Sequence, residues 1–149
     1  MKKVVLNIIS FLLTFSIAGV SSVAFAADDI SVVFNNEKVV FNNAKPTIIE
    51  NRTLIPVRAV FEKAGWKVDW IAEDKTAIIG NDKKVVFITI NQANLQLYDV
   101  NTDTQQEISL DVPATIINDS TMVPLRAVCE AMGTTVNWDN KTRTVYIER

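Results

Sequence analysis

Thr53-Leu-Ile-Pro-Val-Arg-Ala-Val-Phe-Glu-Lys-Ala-Gly-Trp-Lys-Val-Asp-Trp70 is written a second time, 68 positions later, as Thr121-Met-Val-Pro-Leu-Arg-Ala-Val-Cys-Glu-Ala-Met-Gly-Thr-Thr-Val-Asn-Trp138. Carried on to Ile79 and Ile147, the two copies agree without a gap at 11 of 27 positions. Ordinary residue usage gives roughly one or two agreements over that length. The shared positions are chiefly structural in type. They include Pro56, Arg58, Glu62, Gly65 and Trp70 in the first copy, and Pro124, Arg126, Glu130, Gly133 and Trp138 in the second.

Each copy reads as strand, helix, strand, strand. Val57, Val60, Phe61 and Ala64 recur at i, i+3, i+4 and i+7, one face of a helix, and Leu125, Val128, Cys129 and Met132 repeat that spacing. Pro56 and Pro124 suit the first helical position, and proline pushes the residue before it toward extended backbone. Gly65 and Gly133 suit the left-handed residue that ends a helix. Helices this short need an apolar surface to lie on. That surface is expected from antiparallel hairpins, in which Val68 and Trp70 share an inward face, as do Val136 and Trp138.

Further hairpins are expected upstream of each copy. Ile30 to Phe34 pairs with Lys38 to Phe41, and Leu95 to Tyr98 with Glu107 to Leu110. Lys84 to Ile90 is apolar on both faces, as a covered central strand would be. No Gly/Ser/Pro-rich tether separates the copies. The expected fold is therefore α+β: antiparallel strands and hairpins packed around two short helices, with an internal pseudo-two-fold repeat. Residues 27–149 form one domain, whose repeat halves run about 30–80 and 84–149.

Residues 1–26 read as a signal peptide. Lys2 and Lys3 precede an apolar run, and Ala24-Phe25-Ala26 offers small residues around a cleavage point. Export is expected, to the outside of the cell with cell-wall association as one outcome. Once the signal is removed, no later run is long and apolar enough for a transmembrane anchor. Removal of Lys2 and Lys3 leaves 13 basic residues against 17 acidic, with no basic run, so nucleic acid is not an expected partner. Cys129 stands alone, which excludes an internal disulfide. At an inward helical position it is expected to be a buried, inert thiol.

The chain has no histidine, so the commonest general base and the commonest zinc and copper ligand are missing. Asp99, Asp103 and Glu107 lie near one another but lack calcium-loop spacing. No cofactor or metal is expected. Glu62 and Glu130 could be imagined as paired carboxylates of a glycoside hydrolase. Each, however, lies four residues after an arginine, where an i,i+4 ion pair or an arginine bracing a backbone carbonyl explains it. Among the aromatics, Trp70 and Trp138 are expected in the core. Trp66, whose counterpart is Thr134, is the candidate for an exposed binding aromatic, with Tyr98 as a companion. The N-x-Ser/Thr runs at Asn51, Asn118 and Asn140 are read as turn chemistry.

The doubled run of Thr, a hydrophobic pair around proline, Arg-Ala-Val, Glu, glycine and Val-x-Trp resembles the copper amine oxidase N-terminal-like domain, also called the stalk domain. The likeness covers nearly all of residues 30 to 148. It implies an α+β domain of strands wrapped around helices, exported mainly by Gram-positive bacteria. It implies no catalytic or ligand residue, since the copper and the quinone of those oxidases belong to a separate, larger domain. Trp66 after Gly65 departs from the small residue usual there. The expected function is a secreted, non-catalytic binding or spacer module at or near the cell envelope, with cell-wall glycan or another envelope protein as partner. The alternatives are a small polysaccharide hydrolase using Glu/Asp pairs, or a protein-binding inhibitor that docks by strand addition.

Overall fold

The computed structural model describes residues 29–149, so the expected signal segment lies outside the described residues. The chain opens with β1 (Ser31–Phe34) and β2 (Glu37–Lys38), then β3 (Thr47–Ile49) and β4 (Arg52–Pro56), which leads into α1 (Val57–Phe61). A meander follows: β5 (Lys67–Ile71), β6 (Thr76–Gly80), β7 (Lys84–Thr89), β8 (Asn94–Asp99) and β9 (Thr104–Ser109). The order then repeats as β10 (Thr115–Ile117), β11 (Ser120–Pro124), α2 (Leu125–Ala131), β12 (Thr135–Asp139) and β13 (Thr144–Glu148). The strands form three sheets, mostly antiparallel. Sheet I is ordered β12-β13-β1-β2, sheet II β10-β11-β4-β3, and sheet III β5-β6-β7-β8-β9.

Sheet II joins the two copies of the repeat. Ile55 faces Val123, its own counterpart, while Leu54 faces Pro124 and Pro56 faces Met122. Directly opposed residues share a face of a sheet. Ile55 and Val123 therefore point together, into the main core with the apolar faces of α1 and α2. Each helix packs on both β4 and β11. On the opposite face, Leu54 and Met122 gather with Ala44 and Val112 in a second, smaller cluster. Its members pair at the same spacing of 68, as do Ile49 and Ile117, which pack against it. The edge strands β3 and β10 both begin Thr-Ile-Ile, so the likeness between the copies runs six residues further upstream than Thr53.

The strand-to-helix junction is the same in both copies. Pro56 and Pro124 have extended backbone (ψ 117° and 109°) and are the last residues of their strands. They stand at the N-cap, one place before the expected first helical position, and no side chain caps either helix. At the other end, Gly65 (φ 77°) and Gly133 (φ 82°) adopt the left-handed conformation. Gly65 N–H donates to Glu62 O and Trp66 N–H to Phe61 O; Gly133 N–H donates to Glu130 O and Thr134 N–H to Cys129 O. This is the paired Schellman closure, which needs a residue free of steric cost at positive φ.

Three features differ from the sequence expectation. β1 pairs with β13 in parallel, Ser31 opposite Thr144 through Phe34 opposite Ile147, so sheet I is mixed. Over a hundred residues separate those strands, ample for a parallel crossover, which no local pattern announces. The expected strand Lys38 to Phe41 is only the two-residue β2, which follows a tight Asn35-Asn36 turn with positive φ at both residues. β7 is the central strand of sheet III, but only Val86 and Ile88 are buried, whereas Val85 and Phe87 on its other face are half-buried.

Candidate functional site

Two of the three tryptophans, Trp66 and Trp70, are placed against expectation, whereas Trp138 packs against the main core as expected. Trp66 is 4% exposed and stacks on Phe61, with ring centroids 5.4 Å apart and planes 12° from parallel. It is the apolar partner that a Schellman turn brings back onto the helix, so it presents no open face for a sugar. Its counterpart Thr134 is also 4% exposed, and its hydroxyl donates to Cys129 O at 2.8 Å. The position is thus buried in both copies and filled differently. Trp70, expected in the core, is 37% exposed because β5 is an edge strand that reaches beyond the short α1. Trp138 is half-buried, with the Arg143 guanidinium 5.9 Å from its ring centroid, a cation–π contact.

Tyr98 is half-buried on β8, and its hydroxyl donates to Asp103 at 2.7 Å, which raises the phenol's pKa. Trp66 and Tyr98 are not brought together in a cavity; neither lines either of the two concavities described below. The acids near Tyr98 have local tasks. Asp99 accepts from the backbone N–H of Asn101 and Thr102, and Glu107 accepts from Gln96. Among the described residues no three His, Cys, Asp or Glu side chains converge as a metal site.

The larger concavity, about 1100 Å³, lies where α2 meets sheet III and the β12–β13 hairpin. Lys84 of β7, Arg126 and Glu130 of α2, Trp138 of β12, and Arg143 in the β12–β13 turn line it, with Arg52 and Asp111 at one side. Arg52 and Asp111 are engaged with each other, Nε to Oδ2 at 2.8 Å. Lys84 Nζ donates to Ala131 O at 3.2 Å and so closes the C-terminal end of α2, where unpaired carbonyls favour a cation. A smaller concavity of about 350 Å³ lies beside Val39 and Pro46 and holds Asp29, Lys38 and Lys45.

The duplicated arginines are used differently. Arg58 Nη1 donates to Glu62 Oε1 at 3.0 Å and to Val68 O at 3.1 Å, bracing α1 to β5. The i,i+4 pairing and the backbone bracing expected from sequence therefore coincide in the first copy. Arg126 is exposed and, among the described residues, forms no ion pair with Glu130 within 4.0 Å and makes no hydrogen bond. Identical local sequence, Arg-Ala-Val-x-Glu, thus gives a tied arginine in one copy and an open one in the groove. Nothing in either copy alone distinguishes these roles. The usable signal lay in Lys84 and Arg143, two further cations that the fold brings beside Arg126.

Cys129 is fully buried, and burial raises its thiol pKa to about 12, with smaller effects from Thr134 and Glu130. A thiol so shielded is not a nucleophile at neutral pH. No helix among the described residues is long and apolar enough to cross a membrane. Neither the curated proteins nor the solved structures gave a match to the chain. The family model for the copper amine oxidase N-terminal domain matches residues 33–147 of the 149, and the chain belongs to that family.

Proposed function

We propose that the chain is an exported, non-catalytic binding module of the stalk type, acting at or near the bacterial cell envelope as a single domain of residues 27–149. The family is a non-catalytic accessory domain, which supports this reading. The observation that carries it is the groove over α2, where Arg126 is left open while its twin Arg58 is tied into the fold. We also propose that the two copies are related by a pseudo-two-fold axis through the Ile55–Val123 pair. The register of sheet II supports it, since an exchange of copies leaves the Ile55–Val123 pair unchanged and swaps the Pro56–Met122 pair with the Pro124–Leu54 pair.

The hydrolase alternative needs two free carboxylates facing one another across a cleft. Glu62 is bonded to Arg58, and in the groove Asp111 is bonded to Arg52, which leaves Glu130 without a second acid of that kind. A protein partner adding a strand remains a second reading. It is favoured by β9, a sheet edge on which every residue except Ile108 is exposed.

The test is co-sedimentation of the purified protein with cell-wall fractions, with washed cytosolic protein as the negative control. Retention by wall material, without release of sugar or peptide fragments, is the expected result. Release of fragments at a rate proportional to protein, or indifference to every envelope fraction, would remove the reading.

A further inference from the structure

We propose that the groove over α2 binds an anionic glycan chain, one carrying carboxylate or phosphate groups, and that Arg126 is its principal contact. This rests on the binding-module reading and specifies its ligand.

Charge is the first support. The whole chain carries −2, yet the groove collects Arg52, Lys84, Arg126 and Arg143 against Asp111 and Glu130. With Arg52 and Asp111 engaged together, Lys84 and Arg126 stand against the single acid Glu130, and Arg143 lies beside them over Trp138. A concave wall of low dielectric concentrates the field of such a cluster, so an anion is drawn there despite the acidic remainder.

The duplication supplies an internal control for Arg126. Arg58 is followed by the same Ala-Val-x-Glu run and has the same place on its helix, yet it is spent on Glu62 and Val68 O. Helix propensity and local spacing therefore do not explain why Arg126 stays open. The third support is the fixed placing of the other cations. Lys84 is held at the end of α2 by Ala131 O, and Arg143 lies over Trp138. Both are half-buried, so their charges are positioned in advance and little side-chain entropy is lost on binding. The left-handed backbone of Arg143 (φ 49°) is not itself a sign of function, because its counterpart Lys75 (φ 50°) shares it. That conformation belongs to the turn.

Size and lining select a chain over a small ion. The groove's volume of about 1100 Å³ lies at the upper end of the roughly 300–1,000 Å³ range of ligand pockets, far more room than a single small ion fills. Leu97, Ile108 and Val136 contribute apolar surface between the cations, suited to the C–H faces of sugar rings. Nucleic acid is disfavoured because the rest of the surface is acidic and the groove offers one tryptophan, already covered by Arg143.

The experiment is affinity electrophoresis of the purified protein through polygalacturonate, poly(glycerol phosphate) and neutral dextran, followed by titration with the polymer that retards it. Retardation by at least one anionic polymer and none by dextran is expected, and the comparison of the two identifies carboxylate or phosphate as the recognised group. Raising salt from about 50 to about 200 mM should weaken binding several-fold. Arg126→Ala should lower affinity about tenfold or more, as expected when a charge-assisted hydrogen bond is lost, and Arg126→Lys by less. Arg58→Ala, the matching change in the other copy, should leave binding within about twofold. Because Arg126 is exposed and unbonded among the described residues, its variants should melt like the parent, which separates lost binding from lost fold. Equal retardation by dextran, equal binding of single-stranded DNA, or an Arg126→Ala variant that binds like the parent would overturn the proposal. Wall retention without polyanion binding defeats this inference alone, whereas absence of both defeats the binding-module reading as well.

Discussion

At the scale of single residues, the two helix ends show how one motif tolerates different fillings. Phe61 with Trp66 and Cys129 with Thr134 occupy the same paired positions; the first pair is closed by stacked rings, the second by a hydroxyl donating to Cys129 O. Both members change size together, a substitution pattern visible in the sequence. Read singly, Trp66 against Thr134 suggested a dispensable aromatic; read with Phe61 against Cys129, it signals a buried pair. Trp66→Ala should cost about 3–5 kcal/mol, as a buried aromatic truncation does, while Trp70→Ala on the edge strand should cost less than about 1 kcal/mol. Chemical denaturation of the two variants checks the order. Trp66→Phe should be much milder than Trp66→Ala, because it keeps a ring against Phe61, and the indole N–H it loses is buried with no hydrogen-bond partner among the described residues. Cys129 allows a second test. Its folded pKa, about 12, lies above the ordinary 9.0. Between those values the unfolded chain loses a proton that the folded chain keeps, so stability is full below pH 9 and falls as pH rises toward 12. Cys129→Ala should melt lower at neutral pH, from the lost packing, yet show a shallower alkaline decline. A disulfide-forming thiol reagent should label the parent only after denaturant is added.

At the scale of elements, the helices and their closing glycines were legible because period 3.6 and the Pro…Gly bracket are local properties. The inward faces follow the reading: Val57, Val60, Phe61 and Ala64 are buried, as are Leu125, Val128, Cys129 and Met132. Alternation along β5 was legible too, but not its extent of cover. Val68 is buried and Trp70, two residues on, is 37% exposed, because alternation names a face without saying where the covering helix stops. The groove was the least legible feature. Its cations come from β7, α2 and the β12–β13 turn, and only the assembled sheets bring them together. The glycines give this scale its prediction. A Cβ on Gly65 would meet nothing within 4 Å, and on Gly133 only the flexible Lys84 Nζ at 3.8 Å. Alanine at either site is therefore penalised by backbone strain alone, about 1–2 kcal/mol, and nearly equally in the two copies. Asparagine, which tolerates the left-handed region, should cost less at both sites. A large difference between Gly65→Ala and Gly133→Ala would show that one helix end is held by contacts absent from this structure.

At the scale of the whole molecule, the copies divide in sequence but not in space. The boundary near Asn81 falls inside sheet III, where β6 pairs with β7 from Thr76 opposite Thr89 to Gly80 opposite Val85. Sheet I takes β1 from the N-terminal side to flank β13, and sheet II joins β4 to β11. Each hairpin that ends a copy is thus completed by strands from the other side of the boundary, while Arg149 reaches back from the C-terminal end of the chain to donate to Ala64 O beyond α1. A fragment of residues 29–80 would expose the paired edges of β1, β4 and β6 together, along with Ile55 and the apolar face of α1. With no disulfide to restrain it and so small a core, such a fragment should not fold alone. The register of sheet II permits one escape: two copies of β4 can pair antiparallel about Ile55, so any structured form should be a dimer. The complementary fragment 84–149 should behave alike about Val123, and mixing the two should restore a folded domain. The intact chain should unfold in one transition, with far-ultraviolet circular dichroism and the emission of Trp66, Trp70 and Trp138 coinciding. Light scattering of each fragment checks the rest; a fragment that melts cooperatively as a monomer would show that the copies are independent folding units merely pressed together.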